Sequence, residues 1–373
     1  MNIHNHLEET RLKRGLSVAS LARQAGVQRQ TIYAIESGTY IPNTVVALKL
    51  AQILEVSVED LFSIEGQRQA LSPEECVDLL LPSPGEKLYP NQPVRVGRVG
   101  KQRVGVPSSL FPTSLPGADG VVCKVDRAHR ATVRRWDAEG NDSQKIILAG
   151  CDPGMSVLAR HLSRTHNFEL IIAGCSSSQA LRWLKQKKVH LAGTHLRDET
   201  TGESNLPILR KIFPRGGYRV ITFASWEEGL VVARGNPMKI RAAKDWDREG
   251  LKWVNREPGA GSRFLFDSIL KKQGIPSQAI RGYDRIAYGH LPAAWRVYSG
   301  EADICIAVRA AAQVFGLGFV PLQSERYDLV IPEAIFDLQP LQMLLDVMNR
   351  SALKRELEAL GGYDTSQTGR FII

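Results

Sequence analysis

The sequence predicts a multidomain chain: an all-α unit over residues 1–65, a small β-rich connector over 66–142, and an α/β domain over 143–373. Three observations carry this expectation. In the first part, apolar residues recur at helical spacing between capping residues. In the second, prolines and glycines accumulate beside short alternating segments. From Ser143 onward, short apolar strands alternate with amphipathic helices. At 373 residues the chain is long enough for each part to bury a core.

The elements follow in order. Leu7, Arg11 and Leu12 open an amphipathic stretch that ends near Gly15, and Ser17 is placed to cap VASLARQA, which Gly26 breaks. QRQTIYAIESG makes the next helix, Asn43 caps TVVALKLAQIL, and SVEDLF begins with a near capping box from Ser57 to Asp60. In the connector, SPEECVDLLL is expected to be a helix, with Pro73 in its first turn and Glu75 reaching back to Ser72. The segments PVRVGRV, RVGVP, GVVCKV and ATVRRW then read as antiparallel strands.

In the third part KIILAG precedes PGMSVLARHL, FELIIAG precedes SSQALRWLKQ, and VHLAG precedes a loop and NLPILRKIF. YRVITFA and EGLVVARG follow, then KWVN before SRFLFDSILKKQG, and AAWRVYSG and ADICIAV before AAAQVFG. GFVPL and YDLVIP precede a helical tail from about Leu338 to Leu360. Such alternation implies a mainly parallel sheet covered on both faces, with ligands beyond the carboxyl ends of its strands.

A hydrophobic share of 43% with 23% charged residues is ordinary for a soluble globular chain. The longest apolar runs, KIILAG and ELIIAG, fall far short of the roughly 20 residues that span a bilayer, so a cytoplasmic location and no membrane partner are expected. The five cysteines are dispersed and form no C-x-x-C pair, which argues for reduced thiols and against a zinc finger. The net charge of +9 suggests an anionic partner, but residues 1–65 hold six Lys/Arg against seven Asp/Glu, whereas 146–373 hold thirty against twenty-three. Bulk charge is therefore no argument for nucleic acid; local placement must be.

That placement lies in LARQAGVQRQTIYAI, residues 21–35. Two helices crossing at a sharp angle need a small contact residue, a turn that accepts positive φ, and facing apolar positions. Ala22, Gly26 and the set Leu21, Ala25, Val27, Ile32 and Ile35 supply them. The spacing resembles the helix-turn-helix of the Xre family of phage-repressor-like proteins, and the likeness continues through RGLSVASLA, IESG, IP and ALKLAQILEVSVEDLF. The resemblance implies a helix from Gln28 to Ser37 in the DNA major groove, with Gln28, Arg29 and Gln30 nearest the base edges and Thr31 and Tyr33 on phosphates. Val18 stands where the family usually has a glutamine.

In the α/β part, a tetrahedral dianion would be held by backbone N–H groups at helix starts and by hydroxyls. Cys151, Asp152 and Pro153 open a helix after KIILAG, although Asp152 is also a natural cap whose carboxylate repels an oxyanion. Cys175, Ser176, Ser177 and Ser178 open the next helix after FELIIAG, where the serines can equally be caps. In EPGAGSR, Gly259 and Gly261 allow close backbone approach while Ser262 and Arg263 supply donors; Arg263 paired with Asp267 is the plainer alternative. Cys151 and Cys175 each follow an alanine and a glycine that end a strand; free cysteine ordinarily packs as a small hydrophobe, though facing thiols suit a soft metal, a thio-oxyanion or a redox pair. His195 is placed to bond a ligand or the hinge, His190 to serve structure, and Tyr283 or Tyr363 to close over a ligand. Trp183 and Trp295 lie at core spacing.

This part resembles the solute-binding-protein-like domains assigned to molybdate sensing, found attached to helix-turn-helix modules and to molybdopterin-synthesis proteins. The matching motifs run from AGCDPGMSVLA, LIIAGCSSSQAL and VHLAGTHL through TGESNLP, EEGLVVARGNP, VNREPGAGSRFLFD and RGYDR to SGEADICIAV, GLGFVPL, ERYDLVIP and LGGYDTSQTG. The resemblance implies a two-lobed, periplasmic-binding-protein-like (type II) domain with a molybdate or tungstate oxyanion as effector and no other cofactor. A small organic anion or a molybdenum-cofactor-related ligand is the alternative. Without H-E-x-x-H, a P-loop, or a Cys/His or Ser/His dyad in the sequence, no catalytic residues are assigned and no enzyme is expected. The expectation is a homodimeric one-component transcription regulator with operator DNA and a small anionic effector as partners.

Overall fold

The chain divides into two units, Met1–Pro73 and Glu74–Ile373. The computed structural model describes residues 3–54, 56, 58–64, 74–81, 92–107, 117–125, 130–136, 142–165, 168–198 and 200–373.

In the first unit, β1 (Ile3–Asn5) leads into α1 (Leu7–Lys13), α2 (Val18–Ala25), α3 (Arg29–Glu36), α4 (Thr44–Leu54) and α5 (Val58–Leu61), and β2 (Phe62–Ile64) returns to pair antiparallel with β1. The capping residues act as the sequence predicts: Ser17 Oγ accepts the Ser20 N–H at 3.1 Å, and Asn43 Oδ1 accepts that of Val46 at 3.0 Å. Gly26 ends α2 at φ 71°. Ser57 lies outside the described residues. Leu7, Leu21, Ile32, Ile35, Leu50, Leu54 and Leu61 form the core, and the Arg11–Glu36 pair at 2.6 Å ties α1 to α3. The β1–β2 pair has no sequence signal beyond three residues at either end.

The second unit begins with β3 (Glu75–Leu79), β4 (Pro93–Val99), β5 (Gln102–Pro107), β6 (Gly120–Val125) and β7 (Arg130–Arg135), which close into a barrel in the order β3-β5-β4-β6-β7. The helix expected in SPEECVDLLL is thus a strand. Val77 and Leu79 alternate inward against Val94, Val96, Val122 and Val133, so barrel pairing overrides the local capping pattern; Ser72 and Pro73 lie outside the described residues.

The remainder runs β8 (Lys145–Gly150), α6 (Met155–Thr165), β9 (Glu169–Gly174), α7 (Ser177–Lys185), β10 (Leu191–Thr194), α8 (Leu206–Ile212) and β11 (Tyr218–Val232). It continues with β12 (Asn255–Arg256), α9 (Gly261–Gln273), β13 (Ile286–Ala287), α10 (His290–Tyr298), β14 (Ile304–Val308) and α11 (Arg309–Val314). It ends with β15 (Gly318–Pro332), α12 (Gln339–Asn349), α13 (Ser351–Ala359) and β16 (Tyr363–Asp364). The main sheet has the order β14-β11-β15-β10-β8-β9, with β16 also pairing β11. It is mixed rather than mainly parallel: β10, β8 and β9 are parallel, but β11 and β15 pair antiparallel along their length. These two strands, each of 15 residues, run from one lobe into the other, so YRVITFA and EGLVVARG are one strand, as are GFVPL and YDLVIP. KWVN shrinks to a strand at Asn255–Arg256. The first lobe is built on β8–β10; the second has its own core of Trp246, Trp253, Phe266 and Ile304.

The barrel packs on the first lobe. Leu80, Val104 and Val106 share a core with Ile147 and Ala149, and Asp119 binds Lys145 at 2.8 Å. His190 joins both: its Nδ1 accepts the Ile147 N–H at 3.0 Å, and its other side bonds the Arg98 carbonyl. Burial pushes this imidazole from 6.5 down to about 4. The unfolded chain therefore takes up a proton near pH 6.5 that the folded chain refuses until about pH 4, so the stability present above pH 6.5 is lost across that window. The loss is about 3 kcal/mol at most. Denaturant unfolding at stepped pH should show it, with a shallower decline in His190→Gln.

Candidate ligand cleft and nucleic-acid face

The parallel strands β8, β10 and β9 end side by side and are followed by Cys151, His195 and Cys175 respectively. Residues there lie where an open α/β sheet places its ligands. Ser176 caps α7 by accepting the Gln179 N–H at 3.3 Å, and Ser177 Oγ accepts the His195 N–H at 3.2 Å. From the second lobe, the glycine-rich loop enters α9. The Ser178 N–H donates to the Gly259 carbonyl at 3.2 Å, which joins the lobes directly.

Both glycines are required. Gly259 adopts φ +87°, and a Cβ there would stand 2.9 Å from Ser178 Cβ. A Cβ at Gly261 would stand 2.4 Å from His195 Cε1. Only a bare backbone lets the start of α9 reach His195.

A buried polar cluster lies between the lobes. Cys151 Sγ is 3.3 Å from His195 Nε2, and His195 Nδ1 is 2.5 Å from Glu325 Oε2. The Ser262 hydroxyl donates to Glu228. Arg256, 1% exposed, grips Glu257 through Nε at 2.9 Å and Nη2 at 3.1 Å, and its Nη1 is 3.5 Å from Ser262 Oγ. Burial, with the neighbouring Glu325 charge, pushes Glu228 up to about 8, and burial pushes Glu325 up to about 7. Near neutral pH the pair therefore retains a proton. His290, 1% exposed, packs its ring 5.8 Å from that of His195 and 5.7 Å from that of Trp226, and neither of its nitrogens has a hydrogen-bond partner among the described residues. A groove of ≈ 700 Å³ reaches His195, Gly261 and Glu325 from the surface between Arg197 and Asp198 of one lobe and Lys271 and Lys272 of the other.

Of the anticipated ligand residues, Cys151, Ser176, Ser177, His195, Gly261 and Ser262 converge here. Three have other engagements. Cys175 packs in the apolar core of the first lobe, where burial pushes its thiol well up. Asp152 turns its carboxyl to the Gly154 N–H at 2.7 Å and the Tyr363 hydroxyl at 2.5 Å, and burial pushes it up to about 7. Arg263 donates to the Arg256 carbonyl at 3.1 Å, lies over the Tyr283 ring and is 3.8 Å from Asp267. Tyr283 in turn donates to Asp267 at 2.7 Å. Sequence reasoning missed Arg256, Glu228, Glu325 and His290. Arg256 had a signal, being a charged pair with Glu257 directly before the glycine-rich loop; for the glutamates the sequence carries no signal of burial.

In the first unit, Gln28, Arg29, Gln30 and Tyr33 are exposed and Thr31 is half-buried, while Ile32 and Ile35 turn inward. A depression of ≈ 600 Å³ at the starts of α2 and α3 is lined by Ser17, Ser20, Arg23, Gln28, Arg29 and Gln30 among others.

Residues 159–349 match the family model of the PBP superfamily domain. The chain belongs to the PBP superfamily. Its first unit matches the helix-turn-helix family over residues 7–61, so a helix-turn-helix regulator domain is fused here to a PBP-like ligand-binding domain. YvgK, an uncharacterized protein of Bacillus subtilis (strain 168), is 31% identical over 246 residues, covering 66% of this chain and 79% of YvgK. YgzD of the same organism, an uncharacterized HTH-type transcriptional regulator, is 39% identical over 63 residues, covering 17% of this chain and 96% of YgzD. Among solved structures, the periplasmic molybdate-binding protein of Azotobacter vinelandii superposes on the PBP domain with a TM-score of 0.46 at 13% identity, covering 59% of this chain and 98% of that one. Among the described residues, no helix is long and apolar enough to cross a membrane.

Proposed function

We propose that this protein is a cytoplasmic one-component transcription regulator. It binds operator DNA as a homodimer through α3 and closes its PBP cleft on a small oxyanion, molybdate or tungstate. The observation that carries the reading is the Ser178–Gly259 hydrogen bond, which gathers the starts of α7 and α9 around one buried site. Helix-start amides with the hydroxyls of Ser177 and Ser262 suit a tetrahedral dianion. Arg256 adds a buried positive charge, and a protonated Glu228 lessens the repulsion its carboxylate would exert. On the DNA side, Gln28, Arg29 and Gln30 meet base edges, and Thr31 and Tyr33 meet phosphates. The reading gives the chain no catalytic step.

Calorimetry with molybdate, tungstate and sulfate tests the effector. Heat from molybdate or tungstate is expected, and no heat from any of the three removes the oxyanion. In mobility-shift assays, Arg29→Ala and Gln30→Ala should each weaken operator binding by about 1–3 kcal/mol while leaving the ligand heats unchanged. The ≈ 700 Å³ groove with Arg197, Lys271 and Lys272 at its rim favours a second reading, a small organic anion or a molybdenum-cofactor-related ligand. Mass spectrometry of ligand extracted from the purified protein separates the two.

A further inference from the structure

We propose that Cys151, His195 and His290 form a binding site for a borderline-soft d-block cation, with Glu325 as the positioning residue that orients His195. One ligand atom from each of the three lies within 4.8 Å of the others. Ligands sharing one such ion tetrahedrally at about 2.0–2.3 Å stand roughly 3.3–3.8 Å apart, so side-chain rotations that close a gap of about 1 Å complete the set.

Two observations point to an ion rather than to packing. His290 is buried at the start of α10 with both ring nitrogens unpartnered among the described residues. A buried imidazole in that state forfeits its hydrogen bonds to water without replacement, a cost that coordination would offset. His195, by contrast, is already oriented. Glu325 holds its Nδ1, which fixes Nε2 toward Cys151 at 3.3 Å. A carboxylate behind the far nitrogen of a histidine is the arrangement that makes imidazole a good ligand.

The donor types choose the ion. A thiolate with two imidazoles favours Zn²⁺ or Cu⁺ over Mg²⁺ and Ca²⁺, which prefer oxygen. Three protein ligands leave a fourth position open, and His195 itself borders the groove that leads to the surface. Arg256 opposes the cation, and Glu257, bound to it through two hydrogen bonds, offsets part of that opposition, with the Cys151 thiolate offsetting more. The site uses a strand-end thiol and imidazoles, whereas the oxyanion reading uses hydroxyls and helix-start amides, so either can fail alone.

The test uses the full chain carrying Cys76→Ser and Cys123→Ser, which removes the more accessible thiols outside the cleft, stripped with EDTA and titrated with Co²⁺. The expected result is a thiolate-to-cobalt charge-transfer band with tetrahedral ligand-field bands, all bleached by Zn²⁺. Cys151→Ser should abolish the charge-transfer band while circular dichroism stays native. Glu325→Gln should weaken Co²⁺ binding about 10- to 100-fold. His290→Gln should weaken it and shift the ligand-field bands, with unchanged thermal unfolding of the metal-free protein. Absence of the band in the parent chain, or its persistence after Cys151→Ser, overturns the proposal. Molybdate heat from the same metal-free protein without a cobalt band keeps the oxyanion effector and overturns the metal site; a cobalt band without heat from any oxyanion does the reverse.

Discussion

Replacing Arg256 with methionine is expected to lower the stability of the PBP domain by about 3–5 kcal/mol, read as a fall in the denaturant midpoint. Arg256 is 1% exposed and holds Glu257 through two hydrogen bonds, and Glu257 is itself buried. Burial alone would raise the Glu257 carboxyl; the Arg256 charge outweighs it and holds the group below its usual range. Methionine removes that charge and leaves a desolvated carboxylate with the Gly289 N–H at 3.3 Å as a remaining partner. The double variant Arg256→Met, Glu257→Leu should recover most of the loss, because replacing both members of a buried pair by apolar groups is often neutral or stabilising. Equal losses in the single and double variants would show that the side chains act by shape and not as an ion pair.

Gly261→Ala is expected to weaken effector binding at least about tenfold, with a stability loss of about 1–3 kcal/mol. The new methyl would meet His195 at Cε1, Nδ1 and the carbonyl oxygen, at 2.4, 2.6 and 2.9 Å. Either α9 retreats from the strand ends or His195 leaves Glu325, and both spoil the cleft. Gly174→Ala is the control: it ends β9 with nothing among the described residues within 4 Å of the added atom, and binding should stay at the parent level. Calorimetry with the effector, once identified, compares the three proteins.

The first unit was legible because its signals are local. Ser17, Gly26 and Asn43 each act on N–H groups or a turn within three or four residues. Glu75–Leu79 was misread for the opposite reason: the partners that make it a strand, Arg130–Arg135 and Gln102–Pro107, lie far along the chain. The long strands β11 and β15 were seen in halves, since Ser225, Glu227 and Glu228 interrupt one apolar run and Gln323, Ser324, Glu325 and Arg326 the other. The convergence of Ser177, His195, Gly261 and Ser262 was foreseeable, because each sits where a strand gives way to a helix or loop. That of Arg256, Glu228, Glu325 and His290 was not, because their burial depends on two lobes meeting.

The barrel is fastened to one lobe at three kinds of contact: the shared apolar core around Ile147, the Asp119–Lys145 pair, and the His190 bridge to Arg98 and Ile147. Barrel and first lobe therefore form one packed body, and the half carrying α9 is joined to it without a share in those contacts. In the proposed closure, an approach of the two halves is accommodated by torsion in the two strands that both share, a twist about a common spine and not a sliding of separate plates.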